Sequence, residues 1–327
     1  MNKTSQLSAS DRINALLDNN SFVEVGKLVT RRNTDFNLST EEVPADGVIT
    51  GFGLIDGRLV YVYSQDVSAL NGTVGEMHAR KISHLYELAL KVGAPIIGLI
   101  DSAGMRLQEA TDALDAFGKI YQKQVAASGV IPQITAVLGD CGGGAAVLTS
   151  LSDFTFITEE SGKLFVNSPN TLDGNYTSKL DTAKAEFRAL AGTVDFVCQD
   201  DNEVLHRIRE LIAILPDNNG EDTSYDESTD DLNRLVSNFS NELEDTSMAL
   251  RDLSDNYFFV EVKKDHAKEM VTGFIRLNGM TVGAIANRTK LIDQEGQVVE
   301  KFDATLTTAG CLKAESFIRF CDSFNIP

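Results

Sequence analysis

An internal duplication constrains the fold of this chain more than any other feature of its sequence. Three segments recur in the same order: DNNSFVEV (18–25) as DNYFFVEV (255–262), TGFGLIDGRLV (50–60) as TGFIRLNGMTV (272–282), and the helix leading into GAP (93–95) as the helix leading into NIP (325–327). The preserved order indicates duplication rather than chance similarity. Pro95 leads into further strands, whereas Pro327 is the last residue, so we expect two related halves of which the second is incomplete.

The length of the chain also favours two domains. At 327 residues with 43% hydrophobic side chains, it exceeds the size at which a single core usually stops growing. Residues 217–247 hold ten acidic side chains and one basic side chain, and we expect this stretch to be a solvated acidic linker. The sequence therefore predicts an amino-terminal domain over 1–216 and a carboxy-terminal domain over 248–327.

Apolar periodicity in the first half predicts alternating strands and helices. The elements, in order, are a hairpin over 47–62 with its turn at Asp56 and Gly57, a helix over 75–92 ended by Gly93, a strand over 95–101, a helix over 108–128 and a strand over 132–139. This order is typical of an α/β fold, in which the loops at the carboxyl ends of the strands carry the site.

Composition and motif spacing disfavour several classes of function. The 48 acidic and 29 basic side chains give a net charge of −19, which argues against nucleic-acid binding. No apolar run is long enough for a membrane span, so we expect no direct membrane insertion. The cysteines form no Cys-x-x-Cys pair and the histidines show no metal-ligand spacing, so we expect no bound metal and a reducing, cytoplasmic location.

The most informative segment chemically is the glycine triplet Gly142–Gly144, which follows the second buried strand of the first half. Glycines at such a junction let backbone N–H groups approach a ligand closely, as the stabilisation of an oxyanion requires. Taken alone, the triplet is explained more simply by a flexible turn or by close helix packing. Cys141 beside it is more simply a buried core thiol than a nucleophile, since the sequence places no histidine to activate it.

The wider context of the triplet resembles a known family. Residues 101–157 are similar to the carboxyltransferases of propionyl-CoA, acetyl-CoA and methylmalonyl-CoA carboxylases and decarboxylases. This segment begins with DSAGMRLQEATDALDAFG and ends with LGDCGGGAAVLTSLSDFTFI. The resemblance continues through residues 47–66, 72–82, 271–287 and 317–327. It implies a crotonase-like fold in each half, with an acyl-CoA held mainly by the amino-terminal domain and biotin approaching from a carboxy-terminal domain.

The resemblance also implies roles for individual residues. Those that fall on the oxyanion hole and the loop facing it are Gly143, Gly144, Gly104 and Met105. The candidates for contacts with substrate or with the CoA phosphates are Arg80, Lys81, Ala103, Arg106 and Gly142. Two alternatives stay open: Arg106 either contacts substrate or braces its loop through Glu109, and Arg80 and Lys81 are either CoA ligands or ordinary solvated helix residues.

Several departures from the family pattern limit what the resemblance implies. Asp140 stands where the family usually has proline, and Ala103 with Met105 replaces the more usual Gly-Ala pair. Residues 166–200 lack the family's His-bearing patterns, which leaves the acyl group undefined. Residues 288–310 have the character of an insertion before the last helix.

The resulting hypothesis is a carboxyltransferase subunit that moves carboxylate between carboxybiotin and an acyl-CoA through an enolate. The family implies biotin carried on a biotin carboxyl carrier protein, a biotin carboxylase or membrane decarboxylase subunits as further partners, and a homo-oligomer. Two rival hypotheses are a non-catalytic assembly subunit and a biotin-independent crotonase-type acyl-CoA enzyme. The latter needs an acid–base carboxylate, for which Asp140 and Glu109 are the candidates.

Overall fold

A computed structural model describes residues 6–32, 43–167, 181–221, 225–231, 233–236, 239–293 and 295–327. The described residues fall into two compact units. The first lies within Met1–Arg188 and Val197–Ala213, and the second within Ala189–Phe196 and Ile214–Pro327. The domain boundaries expected from the sequence, at 216 and 248, stay predictions.

The helices and strands up to residue 214 alternate along the chain. They are α1 (Ala9–Leu16), β1 (Val23–Val25), β2 (Val48–Ile55), β3 (Arg58–Gln65), α2 (Glu76–Val92), β4 (Ile96–Ser102), α3 (Ala110–Ala127), β5 (Gln133–Gly142), α4 (Ala145–Ser150), β6 (Phe154–Thr158), β7 (Lys163–Phe165), α5 (Ala185–Leu190), β8 (Phe196–Cys198) and α6 (Asp201–Ile214). These elements confirm the α/β class that the sequence predicts.

These strands form one sheet in the order β1-β2-β3-β4-β5-β6-β8, with β7 paired to β5. The first three strands are antiparallel, whereas β3, β4, β5 and β6 run parallel. Every residue of β4 is buried, because parallel strands joined by helices are covered on both faces. The carboxyl ends of β4 and β5 therefore lie side by side.

The predicted hairpin and helix ends are confirmed in detail. Asp56 and Gly57 both have positive φ, 49° and 80°, as a two-residue hairpin turn requires. Gly93 ends α2 in the left-handed conformation with φ 76°. The strand predicted over 132–139 extends further, to Gly142, because β7 pairs with it at Asp140, Cys141 and Gly142.

The remaining helices and strands are short apart from the last helix. They are α7 (Phe239–Glu242), α8 (Thr246–Leu253), β9 (Phe259–Val262), β10 (Met270–Leu277), β11 (Met280–Asn287), β12 (Lys290–Ile292), β13 (Val298–Lys301) and α9 (Thr308–Ser323). Strands β11, β10 and β9 form one antiparallel sheet, and β12 pairs with β13 in another. The β12–β13 hairpin occupies the stretch that resembled an insertion.

Described residues of the acidic stretch 217–247 make specific contacts within the second unit, and the expectation of a solvated linker stays a prediction. Asp226 donates its N–H to the carbonyl oxygen of Gly279 (3.0 Å), and Asp230 accepts a hydrogen bond from the N–H of Asn256 (3.0 Å). Asp245 is buried and caps α8. A charge run alone did not reveal these contacts, because the partners come from a distant part of the sequence.

The duplicated segments have the same strand register in both copies. Val23, Glu24 and Val25 pair with Phe52, Gly51 and Thr50, and their counterparts Val260, Glu261 and Val262 pair with Phe274, Gly273 and Thr272. The Thr50 hydroxyl donates to the Val25 carbonyl (2.7 Å), and the Thr272 hydroxyl donates to the Val262 carbonyl (3.0 Å). The duplication predicted from the sequence is therefore a duplication of structure.

Candidate active site

Two loops meet where β4 and β5 end. A Cβ atom placed on Gly104 would lie 2.8 Å from the carbonyl oxygen of Gly142, and one placed on Gly142 would lie 3.2 Å from the carbonyl oxygen of Ala103. Gly104 has φ 107°, a conformation that side chains rarely adopt. Glycine at both positions thus allows the two backbones to touch, and the structure brings Ala103, Gly104 and Gly142 together.

The first loop has one N–H group for which no described residue is an acceptor. Ala103 donates to the Asn71 carbonyl (3.1 Å) and Gly104 to the Ser102 hydroxyl (3.1 Å). Val74 pairs with the residues on either side of Met105: it donates to the Gly104 carbonyl (2.9 Å) and accepts from the Arg106 N–H (3.0 Å). Within the described parts of the chain, no group accepts the Met105 N–H, which is free to bind a ligand.

The second loop has a similar N–H group at Gly144. Gly144 precedes the first turn of α4, and no described residue accepts a hydrogen bond from its N–H. Gly143, by contrast, donates its N–H to the Phe165 carbonyl (2.9 Å). This corrects the expectation that both glycines donate to an oxyanion. Gly143 instead makes the turn with φ 58°, and an added Cβ would find no atom within 4 Å, so open space adjoins it.

Aromatic side chains enclose the glycine triplet. The Tyr121 hydroxyl donates to the Gly144 carbonyl (2.7 Å), and a Cβ on Gly144 would lie 3.1 Å from the Phe117 ring. The Phe165 ring lies against Gly142, 2.9 Å from an added Cβ. Burial raises the pKa of Tyr121 to about 12, so its phenol stays protonated and keeps donating. The hydrogen bond from Tyr121 thereby fixes the carbonyl of Gly144, on the side of the residue away from its N–H.

Cys141 takes no part in this arrangement. The thiol is fully buried, and burial raises its pKa well above the ordinary value, so a thiolate is disfavoured. Among the described residues, no group of three or more His, Cys, Asp or Glu side chains is positioned to hold a metal ion. The chemistry that these loops offer is therefore backbone hydrogen bonding to a developing negative charge.

Arg106 braces its loop. Its side chain is 3% exposed, and Nη1 donates to Asp46 Oδ1 (2.6 Å) and to Glu109 Oε1 (2.9 Å). Nη2 donates to the Thr73 carbonyl (2.8 Å). Of the two alternatives left open by the sequence, these contacts favour bracing over substrate binding, because the guanidinium is buried and bound to three residues around it.

The two basic residues of α2 occupy different environments. Lys81 is 6% exposed, and its ammonium group donates to the carbonyls of Ala45 (2.9 Å) and Val48, which disfavours its expected role as a CoA ligand. Burial lowers the pKa of Lys81 to about 8. Arg80 is exposed and pairs with Glu76 (2.7 Å) one helical turn before it, where it remains accessible to a phosphate.

Sequence reasoning missed two residues that the structure places at these loops. Asp46 lies in the tripeptide Ala-Asp-Gly before β2 and meets Arg106 from sixty positions away, so no local pattern reveals it. Tyr121 follows Phe117 by four residues on α3, a spacing that puts both rings on one helix face. That spacing was visible in the sequence, but it also fits an ordinary core helix.

Comparisons with known proteins identify the family of this chain. The chain belongs to the carboxyl transferase domain family, whose model matches residues 2–327. It is 38% identical to the methylmalonyl-CoA decarboxylase subunit alpha of Veillonella parvula and 38% identical to the propionyl-CoA carboxylase beta chain of Roseobacter denitrificans. The alignments cover 98% of this chain in both cases, and 64% and 63% of the two relatives.

A solved structure is similar over the same extent. It is the crystal structure of transcarboxylase 12S, described as a hexamer assembly and determined with methylmalonyl-CoA and methylmalonic acid bound. The TM-score is 0.87 at 34% identity, covering 98% of this chain and 63% of that one. The family and the crotonase-like fold expected from the sequence are confirmed, and the chain spans just under two thirds of the relatives it matches.

Proposed function

We propose that this chain is a carboxyltransferase subunit of a biotin-dependent acyl-CoA carboxylase or decarboxylase. The observation that carries the proposal is the pair of N–H groups at Met105 and Gly144, which no described residue accepts and which lie on touching loops. Membership of the carboxyl transferase domain family and the named activities of the relatives support it. The acyl-CoA is of the propionyl, acetyl or methylmalonyl class.

The chemistry assigned to these residues is stabilisation of an enolate. Removing or adding carboxylate next to a thioester places negative charge on the thioester oxygen, which the N–H groups of Met105 and Gly144 bind as an oxyanion hole. Biotin, on a carrier partner, supplies the group that accepts or donates the carboxylate. Phe117, Tyr121 and Phe165 line the glycine triplet on one side, and their apolar rings lower the local polarity, which strengthens those hydrogen bonds.

Further parts of the proposal concern the surroundings of the site. Arg80 is the basic residue of α2 that we assign to a CoA phosphate. We infer a cytoplasmic homo-oligomer that works with a biotin carboxyl carrier protein and with biotin carboxylase or membrane decarboxylase subunits. The hexamer described for transcarboxylase 12S supports the oligomer. Among the helices of the described residues, none is long and apolar enough to cross a membrane.

The first experiment is a calorimetric titration of the chain with acetyl-CoA, propionyl-CoA, malonyl-CoA and methylmalonyl-CoA, with free CoA as the control. Saturable binding that prefers a thioester supports the acyl-CoA site and ranks the acyl groups. Carboxyl transfer from methylmalonyl-CoA to free biotin is then measured on the same preparation. A folded protein that binds no thioester and transfers no carboxylate refutes the proposal and favours the assembly-subunit alternative.

A proline substitution tests the oxyanion donor directly. Gly144 has φ −61°, which matches the angle fixed by a proline ring, so Gly144→Pro removes the N–H. An added Cβ would lie 3.0 Å from the Tyr121 hydroxyl and 3.1 Å from the Phe117 ring, so Gly144→Ala, which adds the same Cβ and keeps the N–H, separates crowding from loss of the donor. We expect transfer to fall by about 10²-fold or more. Gly118→Ala, on an open face of α3, is the control and should keep full activity. Unchanged transfer in the proline variant would refute the assignment of Gly144.

A further inference from the structure

A strained turn lies directly behind the first loop of the site. Ala45, Asp46 and Gly47 all have positive φ, at 55°, 49° and 71°. Consecutive left-handed residues are costly for alanine and aspartate, and such strain persists only where surrounding contacts hold it in place. Asp46 is also completely buried, which is rare for a carboxylate. A turn with these properties is expected to have a specific task.

Contacts of Asp46 fix the turn to the start of α2. Its Oδ2 accepts the backbone N–H of His78 (2.8 Å), and its own carbonyl oxygen lies 2.9 Å from His78 Nδ1. Lys81, one turn further along the helix, donates to the carbonyl of Ala45 (2.9 Å). The carboxylate is therefore held from behind, and its other oxygen, Oδ1, points at a single partner.

That partner is Arg106, the residue after Met105. Oδ1 of Asp46 accepts from Arg106 Nη1 at 2.6 Å. The same guanidinium binds Glu109, whose second oxygen accepts the N–H of Glu76 at the first residue of α2 (2.6 Å). A Cβ on Gly75 would lie within 2.5 Å of both the Glu109 and Arg106 side chains, so the contact is tight. The loop is thus tied to α2 through Asp46 and through Glu109.

A contribution to stability alone does not account for the buried cluster of Asp46, Arg106 and Glu109. Burying one guanidinium with two carboxylates carries a large desolvation cost, and apolar side chains of similar volume often stabilise a protein as well or better. Desolvation raises the pKa of Asp46, and the nearby Arg106 opposes that shift. What the cluster supplies is a fixed position for the backbone on both sides of the Met105 N–H.

We propose that Asp46 is a positioning residue that holds the Met105 N–H in place by clamping Arg106 against the left-handed turn. The inference rests on the proposed function, since it assigns the clamp to the oxyanion donor of that site. Asp46 itself touches no substrate. Because an oxyanion donor acts mainly on the transition state, loosening it lowers kcat more than it changes KM.

The test compares Asp46→Asn with Asp245→Asn. Asp245 is a matched control, since it is equally buried and pairs with a buried arginine, Arg288 (3.3 Å), in the second unit. We expect both variants to lose thermal stability to a similar extent. Only Asp46→Asn should lower kcat for carboxyl transfer, by about 10- to 100-fold, while KM for the acyl-CoA changes less than about threefold. Arg106→Lys, which cannot span Asp46, Glu109 and Thr73 together, should show the same split.

Amide hydrogen exchange supplies a readout that does not need activity. Deuterium uptake of the peptide covering 101–109 should rise in Asp46→Asn and stay at the wild-type level in Asp245→Asn. Equal uptake in the two variants, an unchanged kcat, or a rise in KM alone would overturn the clamp. A wild-type protein without transfer activity would instead refute the proposed function, and the exchange result would still decide whether Asp46 holds the loop.

Discussion

The two copies of the repeat share a framework and differ in what is attached to it. In the first copy, Asp18 accepts the N–H groups of Asp56 and Gly57 at the hairpin turn. In the second, Asp255 accepts those of Asn278 and Gly279 in the same way. The framework contacts therefore follow from the duplicated sequence.

The helix that follows the hairpin shows where the copies diverge. Lys81 in α2 and Lys313 in α9 occupy equivalent positions, and both are buried and donate to backbone carbonyls. His78 corresponds to Gly310, whose N–H is capped by the Thr307 hydroxyl (2.9 Å) rather than by an acidic side chain. Residues common to both copies thus define the framework, whereas Asp46 and His78, which contact each other, are confined to the first copy.

Substituting two equivalent glycines, Gly51 and Gly273, should cause the largest losses of stability. A Cβ on Gly51 would lie 2.3 Å from the Val23 carbonyl, and one on Gly273 would lie 2.4 Å from the Val260 carbonyl. Because backbone atoms of a paired strand cannot move aside, Gly51→Ala and Gly273→Ala should each destabilise the protein by about 3 kcal/mol. Urea unfolding measures both.

The open helical position Gly118 is the control for these substitutions. Gly118→Ala meets no atom within 4 Å and should stabilise α3 by about 0.5–1 kcal/mol. A large loss for Gly51→Ala beside a negligible one for Gly273→Ala would show that the framework is not equally tight in the two copies.

Replacing the two turn carboxylates, Asp18 and Asp255, should lower the stability of the protein by intermediate and unequal amounts. Asp255 is 6% exposed, so Asp255→Ala leaves the Gly279 N–H buried and unpaired, at a cost of about 2 kcal/mol. Asp18 has a side chain 30% exposed, so water replaces part of its contacts and Asp18→Ala should cost about 1 kcal/mol. Thermal unfolding ranks the two, and a larger loss at Asp18 would reverse the expected order.

The contribution of Asp18 to folding stability depends on pH in a direction set by its pKa. The hydrogen bond from the Gly57 N–H is the main cause that lowers this pKa below the ordinary value of 3.8. A lowered carboxylate pKa stabilises the folded protein above the ordinary pKa, and that stabilisation is lost as the pH falls through the folded value. The stability difference between wild type and Asp18→Asn should therefore shrink below about pH 4.

How far the sequence predicted the structure depends on the range of the contacts. The hairpin at Asp56 and Gly57 and the end of α2 at Gly93 were predicted because each depends on neighbouring residues. The engagement of the Gly143 N–H by Phe165 was not predicted, because the acceptor lies on β7, beyond α4 and β6. The Asp46 turn was missed because its left-handed conformation is set by contacts with Arg106 and His78, which no local pattern encodes.

The equivalent lysines should give the sharpest comparison between the two copies. Burial is the main cause that lowers the pKa of Lys81 and of Lys313 to about 8, and the equivalent glutamates Glu24 and Glu261 oppose the shift in each copy. Between pH 8 and the ordinary value of 10.5, the unfolded chain binds more protons than the folded one, so these groups make stability rise with pH.

Lys81→Met and Lys313→Met each remove one titrating amine. Comparing the wild type with each variant therefore separates the pH-dependent stability due to that lysine from the effect of other groups that titrate above pH 8. The stability of the wild type relative to each variant should increase by about 1–2 kcal/mol between pH 7.5 and 9.5. Thermal unfolding across that range measures the difference. Equal slopes for the two variants mean that the buried amine belongs to the duplicated framework, because only a shared environment gives both lysines the same proton affinity. A slope at Lys81 alone would instead make it part of the first copy's site, together with Asp46 and His78.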